Sequence, residues 1–199
     1  MDLSRVSSHV PDEVTDAGRQ AAVVAPVLVR DDEDHVLFTK RADHLGEHPG
    51  QMSFPGGGRE PSDDCLRATA LREADEEIGL RDSEVDFFGR LDDIRTVTDY
   101  SVTPFVARVP DREYEPDERE VAEIVALAES DLTDYANYES EHRDHPHYGP
   151  IRLHFFRVDG YTVWGATGRM LVQLLELTTD WKMPPEPDRV VDPDADYPV

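Results

Sequence analysis

Residues 58–80, GREPSDDCLRATALREADEEIGL, impose the tightest constraint on this chain. Residues 64–78 read as a helix: Ser62 or Asp63 can cap its start, no proline interrupts it, and Gly79 suits the left-handed position just past its end. At about 100° per residue, Glu73, Glu76 and Glu77 fall on one side, Asp75 points away, and Leu71, Ala74 and Ile78 form a neighbouring apolar stripe. Carboxylates crowded in this way repel each other by about a few tenths of a kcal/mol per pair on an exposed helix. A hard divalent cation removes the conflict, because Mg²⁺ takes carboxylate oxygens, keeps several waters and bridges to phosphate. Arg72 can pair with a carboxylate and hold that geometry. The competing reading is a solvated acidic face, since the whole chain carries 44 Asp and Glu against 20 Lys and Arg, a formal charge of −24.

That charge excludes some functions. Non-specific nucleic-acid binding needs a cationic surface to release counterions, so no nucleic-acid partner is expected. No run of about 18 apolar residues is present, so no membrane partner is expected either. The opening MDLSRVSSHVPDEV has no apolar core of a secretory signal. The lone Cys65 cannot form an internal disulfide, which points to the reducing cytoplasm. With 199 residues the chain suits one domain: an N-terminal arm over 1–20, a body over 21–180 and an acidic, proline-rich tail over 181–199. A homodimer is left open. Lys40 and Lys182 are the sole lysines, and the acid is spread along the whole chain, a composition that resembles haloarchaeal cytosolic proteins. In dilute buffer such charge repels itself, and molar salt screens it.

The remaining pattern is strand-rich. Residues 1–20 form either a short helix or a loose arm. Residues 21–29 (AAVVAPVLV) are a continuous apolar strand, and Pro26 predicts an edge position or a bulge because it cannot donate to a ladder. Residues 30–34 turn into a second strand over 35–39, making a hairpin. Residues 40–50 read as a loop, 51–54 as a short extended piece, and Gly56-Gly57-Gly58 as a sharp turn that either approaches a phosphate or is merely flexible. Strands are expected over 85–91, 101–109, 121–127 and 154–158, and a helix over 165–177. Residues 134–150 and the tail from Pro184 read as irregular. His142, His145 and His147 fall in that first stretch as plain loop residues in preference to a metal site, Cys65 as packing, and Trp164 as a core anchor that could also stack on an adenine.

Taken whole, Gly58, an acid at Asp64, and Arg72-Glu73-x-x-Glu76-Glu77-x-Gly79-Leu80 resemble the Nudix box, a loop–helix–loop of hydrolases that act on nucleoside diphosphates linked to another moiety. The chain departs from it at Asp64, where the family usually has Glu. Leu37-Phe38-Thr39-Lys40-Arg41, Leu45, His48, Gly50-Gln51 and Phe54-Pro55-Gly56-Gly57 are similar to the motif that precedes the box in the coenzyme A diphosphatases of that superfamily. Ala42 stands where those enzymes have Ser. Further similarity at Thr103-Pro104-Phe105-Val106, Glu120-Val121-Ala122-Glu123 and Val163-Trp164-Gly165-Ala166-Thr167 extends the resemblance from about Ala21 to Leu177.

The resemblance implies an α/β fold, a Nudix-type α/β/α sandwich with a mixed sheet between helices. It implies that Glu73 and Glu77 bind Mg²⁺ or Mn²⁺ directly, with Glu76 direct or through water. Lys40, Arg41, His48, Gln51, Gly56 and Gly57 become substrate-binding candidates. The general base comes from the box helix or a later loop, with Glu120 and Glu123 as the candidates outside the box. The expected partner is a small molecule, coenzyme A or another nucleoside diphosphate derivative.

Overall fold

The computed structural model describes residues 1–199 apart from 43, 45–49, 97, 146–148, 193–194 and 198–199. Eight strands form one mixed sheet: β1 (Arg19–Arg30), β2 (Glu33–Arg41), β3 (Met52–Ser53), β4 (Gly56–Gly58), β5 (Asp86–Arg90), β6 (Ile94–Arg95), β7 (Tyr100–Arg108) and β8 (Val121–Ala128). Four more form a second sheet: β9 (Tyr138–His145), β10 (Gly149–Val158), β11 (Tyr161–Val163) and β12 (Arg189–Val191). The helices are α1 (Leu66–Ile78), the short α2 (Glu129–Thr133) and α3 (Gly165–Thr178).

β1 organises the large sheet because its side chains feed two cores. Ala21, Val23, Ala25 and Val27 pack toward α3 and the second sheet, while Ala22, Val24 and Leu28 pack against Ala70, Ala74 and Ile78 of α1. A strand buried on both faces reads as an unbroken apolar run. The expected sandwich is therefore present, with the four-stranded sheet added beside α3. Among the described residues, no helix is long and apolar enough to cross a membrane.

Pro26 lies on neither an edge nor a bulge. β1 is central, parallel to β7 on one side and antiparallel to β4 and then β2 on the other. Pro26 shares the side of Val24, whose amide donates to the Pro55 carbonyl at 2.9 Å. Pairing with β4 ends at Val23 and pairing with β2 begins at Val27. The missing donor thus falls in the gap between two neighbours, where no ladder partner waits. The β1–β2 hairpin turns through Asp31 (φ 51°) and Asp32 (φ 64°), the paired left-handed conformation that matches strand twist.

Several regions left open or read as loop or turn are ordered. The N-terminal stretch forms a 3₁₀ turn, Leu3–Ser8, whose Leu3 and Val6 enter the core. Lys40 and Arg41 extend β2 instead of opening a loop, and Gly56–Gly58 is a strand paired with Ala21–Val23 instead of a turn. Residues 138–145 form β9, so His142 and His145 lie on a strand; His147 lies outside the described residues. Polar composition concealed β9 because the residues it buries on both faces are largely polar: Ser140 on one, Glu141 and Arg143 on the other, all nearly inaccessible. Arg143 and Arg189 bind Glu141 at 2.9 and 3.0 Å, which satisfies the buried charge. The tail contributes β12, parallel to β9. Cys65 is exposed at the start of α1 instead of packed.

Candidate active site

α1 ends as its sequence requires: Gly79 takes φ 64°, and the Gly79 and Leu80 amides close on Asp75 and Ala74. Its start differs from expectation. Neither Ser62 nor Asp63 caps it; Cys65 holds the cap position with no side-chain bond. Asp63 turns inward, accepting the Glu60 amide at 2.8 Å, the Thr69 hydroxyl at 3.0 Å, and Arg72 Nε and Nη2 at 3.0 and 3.2 Å. The Arg72 guanidinium holds the Asp63 carboxyl far below the usual carboxylate range, and Asp63 raises Arg72 in return.

Arg72 then distributes its other donors over the site. Nη2 reaches the Gly58 carbonyl and Glu73 Oε1, both at 3.0 Å, and Nη1 reaches Glu76 Oε2 at 3.1 Å. One guanidinium therefore orients two of the three candidate glutamates against the glycine strand. Asp64, the position singled out by the motif, is exposed and takes no part in this network among the described residues. Asp63 is the residue that sequence reasoning missed. A second acid adjoining the motif position was the available signal.

Glu73 and Glu77 face β4. A Cβ at Gly57 would lie 2.5–2.6 Å from the Glu73 carboxylate, so the carboxylate holds this position only with glycine beneath it. Gly56 takes φ 152°, and a Cβ there would approach the Ala22 carbonyl to 2.4 Å. Its amide donates to Glu77 Oε2 at 3.2 Å. Burial pushes Glu77 up to about 8; the Gly56 amide and Arg41 oppose this, while the charges of Glu73 and Glu120 add to it. Glu73 is raised by burial, and further by Glu76 and Glu120, against the pull of Arg72. Glu120 joins the cluster because its loop is tied to the helix end: the Asp117 amide donates to the Glu77 carbonyl, and the Ala42 amide to the Glu120 carbonyl, both at 2.9 Å.

Glu123 lies elsewhere. It pairs across from Lys40 on the opposite face of the sheet and accepts the Tyr161 hydroxyl from β11. Lys40 Nζ sits 5.9 Å from the centre of the Tyr161 ring. The Arg41 amide donates to the Gln51 carbonyl at 3.0 Å, and its buried Nε finds no partner among the described residues. Gln51 Nε2 lies 3.4 Å from where a Gly165 Cβ would stand. The fold thus gathers Glu73, Glu77, Glu120, Arg41, Gly56 and Gly57, with Gln51 adjoining and Glu76 on the exposed rim. It sets Lys40 and Glu123 apart from them, and His48 lies outside the described residues.

Among the described residues, no three His, Cys, Asp or Glu side chains are already drawn together as a metal-holding group. The donor chemistry nonetheless fits a hard divalent cation. Glu73 Oε2 and Glu77 Oε1 accept no hydrogen bond among the described residues, while Glu73 Oε1 and Glu77 Oε2 are held by Arg72 and Gly56. Carboxylates that push one another's pKa upward are a site short of positive charge.

Comparison with known proteins identifies the family. Residues 19–148 match the NUDIX domain model. An uncharacterized Nudix hydrolase, NudL, of Enterobacter sp. (strain 638) is 39% identical over 160 residues, covering 78% of this chain and 81% of that protein. The protein of the same description from Yersinia pestis (strain Pestoides F) is 34% identical over 161 residues, 79% of each. A crystal structure of a MutT/nudix family protein from Enterococcus faecalis superposes with a TM-score of 0.52 at 12% identity, over 86% of this chain and 63% of that one, which bears on the fold alone. The chain belongs to the Nudix family, and it is a hydrolase of that family, a class that works with divalent metal ions.

Proposed function

We propose that this protein hydrolyses the diphosphate bond of coenzyme A or a derivative, with Mg²⁺ or Mn²⁺, to 3′,5′-ADP and 4′-phosphopantetheine. The observation that carries the reading is the convergence of Glu73, Glu77 and Glu120 with Arg41 on the Gly56–Gly57 backbone. Arg41 belongs to the stretch similar to coenzyme A diphosphatases, and its guanidinium acts on the same carboxylate cluster.

Glu73 and Glu77 would hold the cation, with Glu76 direct or through water. When bound, the cation neutralises the diphosphate and makes a water more acidic. Arg72 fixes the rotamers of Glu73 and Glu76 before substrate arrives. Arg41 binds a diphosphate oxygen through its guanidinium fork, and Gln51 contacts the substrate farther out. Glu120, exposed and outside the anchored set, receives the proton of the attacking water. Glu123, engaged by Tyr161, fits that role less well than Glu120. The acid-rich, lysine-poor surface is that of a protein working in the cytoplasm at molar salt.

Mass spectrometry of products after incubation with coenzyme A and either cation in high salt, with ADP-ribose in parallel, tests the reading. We expect 3′,5′-ADP and phosphopantetheine, abolished in a folded Glu77→Gln variant. Cleavage of ADP-ribose alone discards coenzyme A as substrate. Inertness toward both, from folded protein, replaces the enzyme with a ligand-binding domain.

A further inference from the structure

We propose that Trp164 and Arg143 form a slot for the planar base of a nucleotide, and that the chain's own Tyr197 fills it when no nucleotide is bound; this rests on reading the site as one for a nucleoside-containing diphosphate. The Tyr197 ring centre lies 5.0 Å from that of Trp164 with the two planes tilted by 41°, and the Arg143 guanidinium carbon lies 4.3 Å from the same Tyr197 centre. An indole and a guanidinium engaging one ring will accept any planar π system of similar size.

The walls of the slot have partners outside the tail segment that carries Tyr197. Arg143 is 3% exposed and is pinned by Glu141, itself 1% exposed, through Nε at 3.2 Å and Nη2 at 2.9 Å. Arg189 holds the other Glu141 oxygen at 3.0 Å. Trp164 stacks on Phe155, with ring centres 6.0 Å apart and planes 12° from parallel.

The occupant is held more lightly than the walls. Tyr197 is 43% exposed, and its neighbours Ala195 and Asp196 are attached to Arg143 through their carbonyls. Asp196 precedes Tyr197 in the chain, so the tail presents a planar group on an acidic segment, as a nucleotide joins a base to phosphate. A short path joins the slot to the candidate active site: Trp164 precedes Gly165, a Cβ on Gly165 would stand 3.4 Å from Gln51 Nε2, and the Gln51 carbonyl receives the amide of Arg41.

The test is calorimetric titration of the full-length protein with 5′-AMP, without divalent cation, for the wild type, Tyr197→Ala and Tyr197→Phe. Ribose 5-phosphate serves as the probe that lacks a base. Removing the ring should tighten AMP binding by about tenfold, the order set by one aromatic stack with its cation. Tyr197→Phe should match the wild type, and ribose 5-phosphate should be indifferent to either change. Unchanged, weaker or undetectable AMP binding by Tyr197→Ala overturns the proposal, as does an equal gain for ribose 5-phosphate. The AMP shift without cleavage of coenzyme A would leave the slot standing and discard the substrate; normal cleavage without the shift discards the slot alone.

Discussion

His154 should make stability depend on pH through a mechanism that can be isolated. It lies on β10 with 6% exposure, and its Nδ1 shares a 2.8 Å hydrogen bond with the Tyr138 hydroxyl. Burial, reinforced by the charges of Arg152 and Arg169, lowers its pKa from 6.5 to about 4. The unfolded chain therefore takes up a proton as pH falls through 6.5, whereas the folded chain resists until about 4. Stability from this group is complete above the unfolded value and is lost as pH falls through that window. A displacement of this size corresponds to roughly 3 kcal/mol in all, of which about 2 kcal/mol is lost by about pH 5. The assay is urea denaturation at molar salt, comparing wild type with His154→Gln, which keeps a hydrogen-bonding group near Tyr138. Because the many carboxylates titrate in both proteins, the difference between them reports His154. We expect the stability gap between the two to narrow by about 2 kcal/mol from about pH 7.5 to about pH 5. Parallel pH dependences would refute the reasoning.

Three further predictions concern the candidate site and the surface. Gly57→Ala places a methyl 2.5–2.6 Å from the Glu73 carboxylate. It should lower kcat by about a hundredfold with little change in circular dichroism, and a kcat within about twofold of wild type would contradict the crowding argument. Asp63→Asn should cost about ten- to a hundredfold in activity by loosening Arg72, while Asp64→Asn should cost almost nothing; the opposite order in steady-state kinetics would return the role to Asp64. Raising salt from dilute to molar should raise Tm, because screening relieves the repulsion of a −24 chain. A flat Tm would reject the saline adaptation.

The contrast between Asp63 and Asp64 illustrates where local pattern stops being informative. Helical periodicity correctly grouped Glu73, Glu76 and Glu77 on one side, since that depends only on spacing along one element. Which acid reaches Arg72 depends on how the turn before the helix folds back, and that follows from the Glu60 amide and the Thr69 hydroxyl. Glu120 and Glu123 were indistinguishable as candidates. Their separation came from the loop tied to the Glu77 carbonyl and from a hydroxyl on β11, both distant in sequence.

By itself, the sequence determined the α1 helix and its glycine stop, the apolar strand β1, the β1–β2 hairpin and the motif that marks the family. These rest on short-range physics: side-chain periodicity, left-handed backbone at glycine, and paired turn residues. Only the tertiary structure decided that Pro26 sits in a central strand, that β9 and β12 exist, and which acid anchors Arg72. A proline is harmless where two neighbouring strands leave a gap, and a polar strand can be buried when Arg189 arrives 48 residues later to complete its charge. Such compensation is set by partners far along the chain, so no local window contains it.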